Sequence, residues 1–316
     1  MIDDIKEVKN SGESDIQMPN SLRDKVNEEY QNGFNAIKNE RERKRGTIDE
    51  VLPLYGDEPT VNLLYRNIQL ENSVFVTDEL SVEFSSEQGV LGKELMSNAN
   101  KIAKYDNLDM NLDEYKQEIV QSNAYFGVAV TAVLDWDDEE QQPISDVVDA
   151  LSVIPDPKCN IGSRMRYIGF ERRMKAETLL ANPSFKNKEA IELSIQSEEL
   201  QKNQRAFDNA NGITEIVDQD GLVDIYDHFT TYKGMKYLTT WIADRTICIR
   251  MIEIESMTEA ERKKPSKIKY PVQIHRRKPR YNSFYGTSII DETLGYQKEL
   301  TKLLQYDTTN ARLQAL

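Results

Sequence analysis

Residues 222–256 constrain the fold more than any other stretch. LVDIYDHFT, MKYLTTWIA and RTICIRMIEI are rich in β-branched and aromatic residues, and YKG separates the first two. Such runs around a tight glycine-bearing turn predict an antiparallel meander. A meander must bury one face against a second layer, and the flanking segments have the periodicity to supply it. Leu22, Val26, Tyr30, Phe34 and Ile37 recur at helical spacing, ahead of the charged run NERERKRG. That run reads either as a polyanion contact or as a solvated helix end whose basic residues suit the C-terminal dipole.

Further helices are predicted from about Val61 to Asn72, over 89–104 and over 112–122, the last with Asn111 and Glu114 as a capping box. AYFGVAVTAVLDW (124–136) reads as a strand with the acidic DWDDEEQQP as its exposed turn. TDELSVEFSSE is a short strand or extended arm, and ALSVIPDP (150–157) is a strand broken by two prolines. RYIGFERRM is extended, KAETLLAN starts a short helix closed by Pro183, and 187–209 is a polar, peripheral helix. SMTEAERKKPSKIK reads as charged and exposed, and KYPVQIHRRKPR as extended. Helices, strands, helices, a meander and a terminal helix in that order make an α+β fold, not regular βαβ alternation.

The net charge of −14, from 54 acidic and 40 basic side chains, disfavours tight static binding to nucleic acid. It leaves room for a surface that repels DNA. No stretch is long and apolar enough to span a bilayer, and the N-terminal MIDDIKEVKNSGESD lacks the regions of a signal peptide. Cys159 and Cys248 have no metal-ligand spacing and read as ordinary thiols of a reducing compartment.

Chemistry has few places to reside. On a strand, His228 shares a face with Asp224 and Tyr226 while Asp227 points the other way, so a salt-bridge pairing fits better than a metal. His275 lies in the basic patch His275, Arg276, Arg277, Lys278 and Arg280, which suits phosphate or an acidic neighbouring subunit, the latter being favoured by the net charge. Asp135, Asp137, Asp138 and Glu139 could offer oxygens to a divalent ion for a nuclease, but they lack calcium-loop spacing and read better as a hairpin tip. No nucleotide-binding, zinc-protease or serine-elbow motif occurs. Neither a catalytic centre nor a cofactor or metal site is expected.

The end of the chain is the most specific feature. Tyr281, Phe284 and Tyr285 read as anchors of a turn in which Gly286 permits close backbone approach or positive φ. Ile290, Leu294, Leu300, Leu304 and Ala311 then form one helical stripe that contains Gln297. A buried amide needs partners, so Gln297 either bonds to a neighbouring loop or subunit or lies partly exposed at the end of the stripe.

The order of SVIPDP, an arginine-bearing strand, VDIYDHFT, the meander and YPVQIHRRKPRYNSFYGTSIIDETLGYQKELTKLLQYDTTNARL resembles the portal proteins of tailed bacteriophages. The likeness runs from about residue 50 to the end. Pro155, Asp156 and Pro157 match one signature; Tyr285, Gly286, Ser288, Asp291, Gln297, Asp307 and Asn310 match the other, an aromatic-Gly-x-Ser turn leading into a glutamine-bearing helix.

The resemblance implies a portal wing or body-like fold and no enzymatic activity. Residues 1–45 would be a helical arm, and 46–316 the body, with 283–316 leading toward a stem and clip. It also implies a closed homo-oligomeric ring of about twelve subunits at one capsid vertex, with terminase, scaffolding or major capsid protein and a head-tail connector as partners. Double-stranded DNA would pass through, in the virion and, during assembly, in the host cytoplasm. Portal subunits usually run longer, so the sequence reads as an N-terminal or truncated portion of one. The alternative is a virion structural or adaptor protein without a channel.

Overall fold

The computed structural model describes residues 19–51, 63–76, 96–101, 112–137, 142–158, 165–192, 221–242, 245–264 and 268–314. It divides into two compact units, one from Met1–Lys38 and Val133–Val272, the other from Asn39–Ala132 and Gln273–Leu316. Helix and antiparallel sheet are mixed as expected for an α+β chain. Among the described residues no helix is long and apolar enough to cross a membrane.

The first unit is built on the meander. Strands β3 (Val153–Pro155), β4 (Ile168–Lys175), β5 (Leu222–Tyr232), β6 (Met235–Ile242) and β7 (Ile247–Ser256) form one sheet in that order, each pair antiparallel. Lys233 and Gly234, both at positive φ (48° and 82°), make the β5–β6 turn. That conformation matches the right-handed twist of the strands it joins. Pro155 sits on the edge strand, where its missing N–H costs no ladder bond.

One layer beside this sheet is the short helix α4 (Ala176–Ala181) with the segment after it. Ala176, Leu179, Phe185 and Ile191 pack with Val223, Ile225, Ile242 and Ile249. The start of helix α1 (Asn20–Val51) buries Leu22, Val26 and Tyr30, as its period requires. Each such side chain contributes about 1.5–3 kcal/mol on transfer from water. A Cβ on Gly33 would lie 2.6 Å from the Ile154 side chain and 2.7 Å from Pro155 O, so only glycine lets α1 approach β3 this closely.

The second unit is mainly helical. Helices α2 (Leu63–Val76), α3 (Leu112–Phe126) and α6 (Ile289–Gln314) pack on one another around Ile68, Ala124, Ile289 and Ile290. A further three-stranded sheet is not confined to this unit: its order is β2 (Gln142–Val148, of the first unit), β1 (Val128–Asp137), β8 (Val272–Arg276). The chain passes between units inside α1, inside β1 and at the start of β8.

Several sequence expectations shift. The first helix runs through Gly46 to Val51 rather than ending near 45. Ala124–Phe126, expected as strand, complete α3; Gly127 at φ +77° then ends the helix, its N–H bonded to Asn123 O at 2.9 Å. Gln142 and Pro143, expected in the DWDDEEQQP turn, begin strand β2.

SMTEAERKKPSKIK is not uniformly exposed. Thr258 and Glu261 form a capping box on the short helix α5 (Glu259–Lys263), and Glu261 is buried. Of the peripheral helix expected over 187–209, Asn187 is at φ +54° and not helical, 188–192 are helical, and 193–209 lie outside the described residues. So do TDELSVEFSSE, the capping residue Asn111 and Cys159.

Candidate functional site

The second signature is the most developed polar construction of the second unit. Ser288 caps α6: its hydroxyl accepts from the Asp291 N–H (3.0 Å), and Asp291 Oδ2 accepts from the Ser288 N–H (2.9 Å). Buried Lys44, on α1, donates to Asp291 Oδ2, to Ser288 Oγ (3.2 Å) and to Gly286 O (3.4 Å). Arg43 adds a bond to Asp291 Oδ1 at 2.9 Å. Burial alone would raise the Asp291 carboxyl. The bonds from Lys44, the Ser288 N–H and Arg43 outweigh it and hold the group well below the usual carboxylate range. Burial pushes the Lys44 ammonium down, against its bond to Asp291.

Gly286 serves close approach, not positive φ. A Cβ there would lie inside the van der Waals envelope of Gly127 O and 2.9 Å from Lys278 O, and one on Gly127 would overlap Gly286 O. The two glycines cross backbone to backbone. Thr287 N–H bonds to Lys278 O (2.9 Å), and Arg277 N–H to Gly127 O (3.2 Å). Phe284 and Tyr285 are buried edge to face, 5.2 Å between centroids. Tyr281 is 93% exposed and anchors nothing. Next to it, Asn282 turns the chain at φ +52°, which leaves the Tyr281 ring outside the packed turn.

Gln297 is buried, 4% exposed, and its amide donates to Thr301 Oγ1 (3.4 Å) one turn on in the same helix. Asp307 and Asn310, further along α6, are exposed and take no part in the turn. The expected stripe is buried at Ile290, half-buried at Leu294, Leu300 and Leu304, and exposed at Ala311.

The basic patch is largely neutralised within its own unit. Arg277 bonds to Glu71 (2.7 Å) and Glu292 (2.9 Å), Lys278 to Glu292, and Arg280 to Glu40 (3.4 Å). Arg276 lies 5.9 Å from the Phe284 ring centre. His275, on β8, keeps much of its surface in solvent, while partial desolvation of the ring pushes its imidazole pKa down. Contact with a neighbour's acid is therefore not needed to balance Arg277, Lys278 or Arg280.

In the first unit Asp156, in the first signature, is a turn lock. It accepts from Arg166 Nε (2.7 Å) and Nη2 (2.6 Å), and from the N–H groups of Lys158 (2.9 Å) and Arg166 (3.1 Å). Burial works against its charge. The Arg166 bonds and the two backbone N–H groups prevail and keep its pKa below the ordinary value. Pro155 and Pro157 flank it and fix the chain on either side.

Two buried polar clusters mark the faces of β5. On one, His228 bonds through Nε2 to Glu29 (2.8 Å) and through Nδ1 to Tyr226 (2.9 Å), while Thr230 donates to the same Glu29 oxygen (2.7 Å). His228 thus has the structural role expected of it, through a hydrogen-bonded partner on α1. On the other, Asp227 accepts from Arg172 (2.8 and 2.5 Å), Thr240 (2.5 Å) and Arg250 (3.1 Å). Arg250, 1% exposed, also reaches Asp135 at 2.5 Å.

Asp135, one of the acids that could serve a nuclease, is thus taken by Arg250. Asp138 and Glu139 lie outside the described residues. Among the described residues no group of three or more His, Cys, Asp or Glu is placed to hold a metal.

Sequence reasoning missed Gly127, Lys44, Glu29 and Arg250. Gly127 follows YF ahead of a strand, a place where glycine signals a helix stop. The other three lie in charged or amphipathic runs that carry no local mark of burial. No protein-family model matches the chain, and no curated protein sequence matches it significantly.

Proposed function

We propose that the chain is a subunit of a portal-type ring, an architectural protein of the tailed-phage capsid vertex through which double-stranded DNA passes during packaging and ejection. The observation that carries this reading is the behaviour of the second signature. Gly286, Ser288 and Asp291, which carry the resemblance in the sequence, make one lock with buried Lys44 beside the buried Tyr285. A motif that shapes a turn and starts a long helix fits a mechanical subunit better than a reaction centre. The net charge of −14 supports the reading too, since an acidic ring surface repels phosphate and lets a duplex slide.

Under this proposal the subunit carries no catalytic centre and no cofactor. Its partners are further copies of itself, a terminase, capsid or scaffolding protein and a connector. The first test is the salt dependence of self-association. Subunits of this charge repel one another at low ionic strength, so sedimentation should show assembly rising as salt or divalent cation screens them. A chain that stays monomeric from about 0.01 to 1 M salt contradicts the proposal and favours the adaptor alternative.

A further inference from the structure

The first unit holds a cleft of about 490 Å³ between the face of α1 that carries Lys25 and Glu28 and the turn that carries Lys158, with Arg166 and Tyr167 in its wall. That volume is of the size small-ligand sites occupy. Three polar groups in its wall are left unengaged among the described residues.

The first is Arg166. Asp156 fixes its guanidinium through Nε and Nη2, and no hydrogen bond engages Nη1 among the described residues, while the side chain stays 34% exposed. A planar fork held rigidly by one carboxylate is preorganised to meet a second oxyanion. Next is Lys158, whose backbone serves Asp156 and whose ammonium has no carboxylate partner among the described residues. Last, the Tyr167 hydroxyl is buried without a hydrogen-bond partner among the described residues. Leaving such a donor unmet costs about 1–3 kcal/mol.

The acids of the cleft differ in kind. Glu29 is taken by His228, Thr230 and Lys25, which leaves Glu28, exposed at the same cleft, as its one uncommitted carboxylate among the described lining residues. With the Arg166 charge shared with Asp156, and Lys158 balanced by Glu28, the cleft is close to neutral, which admits a single anionic group and opposes a polyanion.

We infer that this cleft binds a small ligand through a single carboxylate or phosphate group, with Arg166 and Lys158 as the charged contacts and Tyr167 as a supporting donor. The site is independent of the ring proposal, and its test does not involve assembly.

The test titrates the whole chain with inorganic phosphate in one arm and N-acetylalanine in the other, with matched chloride as the baseline, following the backbone amide resonances of residues 158, 166 and 167, which the parent and both variants share. A saturable shift with a Kd of about 1 mM or tighter is expected in at least one arm, and the responding arm names the source chemistry. Lys158→Ala, an exposed change that leaves the fold intact, and Arg166→Lys, which keeps the charge but not the fork, should each weaken binding about fivefold or more. Absence of saturation in both arms up to about 20 mM overturns the inference. So does parental affinity in both variants.

Discussion

Alanine at Gly286 and at Gly127 tests the crossing of the two glycines, and the structure predicts different costs for the two. At Gly286 the new Cβ must move out of the Gly127 carbonyl and away from Lys278 O at 2.9 Å. Relief of about 1 Å, toward ordinary contact distance, separates the two backbones. It gives up the Thr287 N–H to Lys278 O and Arg277 N–H to Gly127 O bonds. At about 0.5–1.5 kcal/mol net for each, Gly286→Ala should cost about 1–3 kcal/mol.

Gly127→Ala meets the same obstruction and also places a side chain at φ +77°. The left-handed conformation adds about 1–2 kcal/mol, for a total of about 2–5 kcal/mol. Amide hydrogen exchange at Arg277 and Thr287 reads the effect locally. It should accelerate about fivefold or more in Gly286→Ala, and further in Gly127→Ala. Exchange within about twofold of the parent in both variants would refute the close-approach reasoning.

Three further outcomes follow from the first unit. Asp227→Asn leaves Arg250 buried with only Asp135 as its charged partner and should cost about 3–5 kcal/mol in urea unfolding followed by Trp241 fluorescence. Adding Arg250→Met should recover part of that loss. Glu261 is opposed by burial but held down to about 2 by the Thr258 N–H, Lys236 and the Thr258 hydroxyl. As a depressed carboxylate it stabilises the fold above its unfolded pKa and loses that contribution as pH falls from about 4.5 toward 2. Urea midpoints should therefore fall less steeply over that range in Glu261→Gln. The Cys248 thiol, pushed up to about 12 chiefly by burial, should resist iodoacetamide at about pH 8 in the native chain and react in denaturant.

Much of this was legible before the structure, where a local pattern had a local cause. The meander follows from period-two runs around YKG, and the Lys233–Gly234 turn from its glycine. The buried face of α1 follows from Leu22, Val26 and Tyr30. The burial of Gln297 was half legible: the stripe placed it inside, but its intrahelical partner Thr301 was not anticipated.

The illegible part is long-range polar pairing. Lys44 and Asp291 are far apart in the chain, as are Glu29 and His228, and nothing beside Lys44 distinguishes it from Arg43 or Arg45, which are not buried. Tyr281 failed for the opposite reason. Its neighbours Phe284 and Tyr285 are buried, and aromatic identity alone suggested the same for it. The Thr258–Glu261 box carries a recognisable Thr-x-x-Glu pattern, masked by the charged residues around it.

Negative-stain imaging of the expressed chain, at a salt concentration that screens its charge, tests the central proposal most directly. The account predicts closed rings of about twelve subunits with an open centre. A population of monomers or dimers, with native folding verified on the same sample, contradicts it.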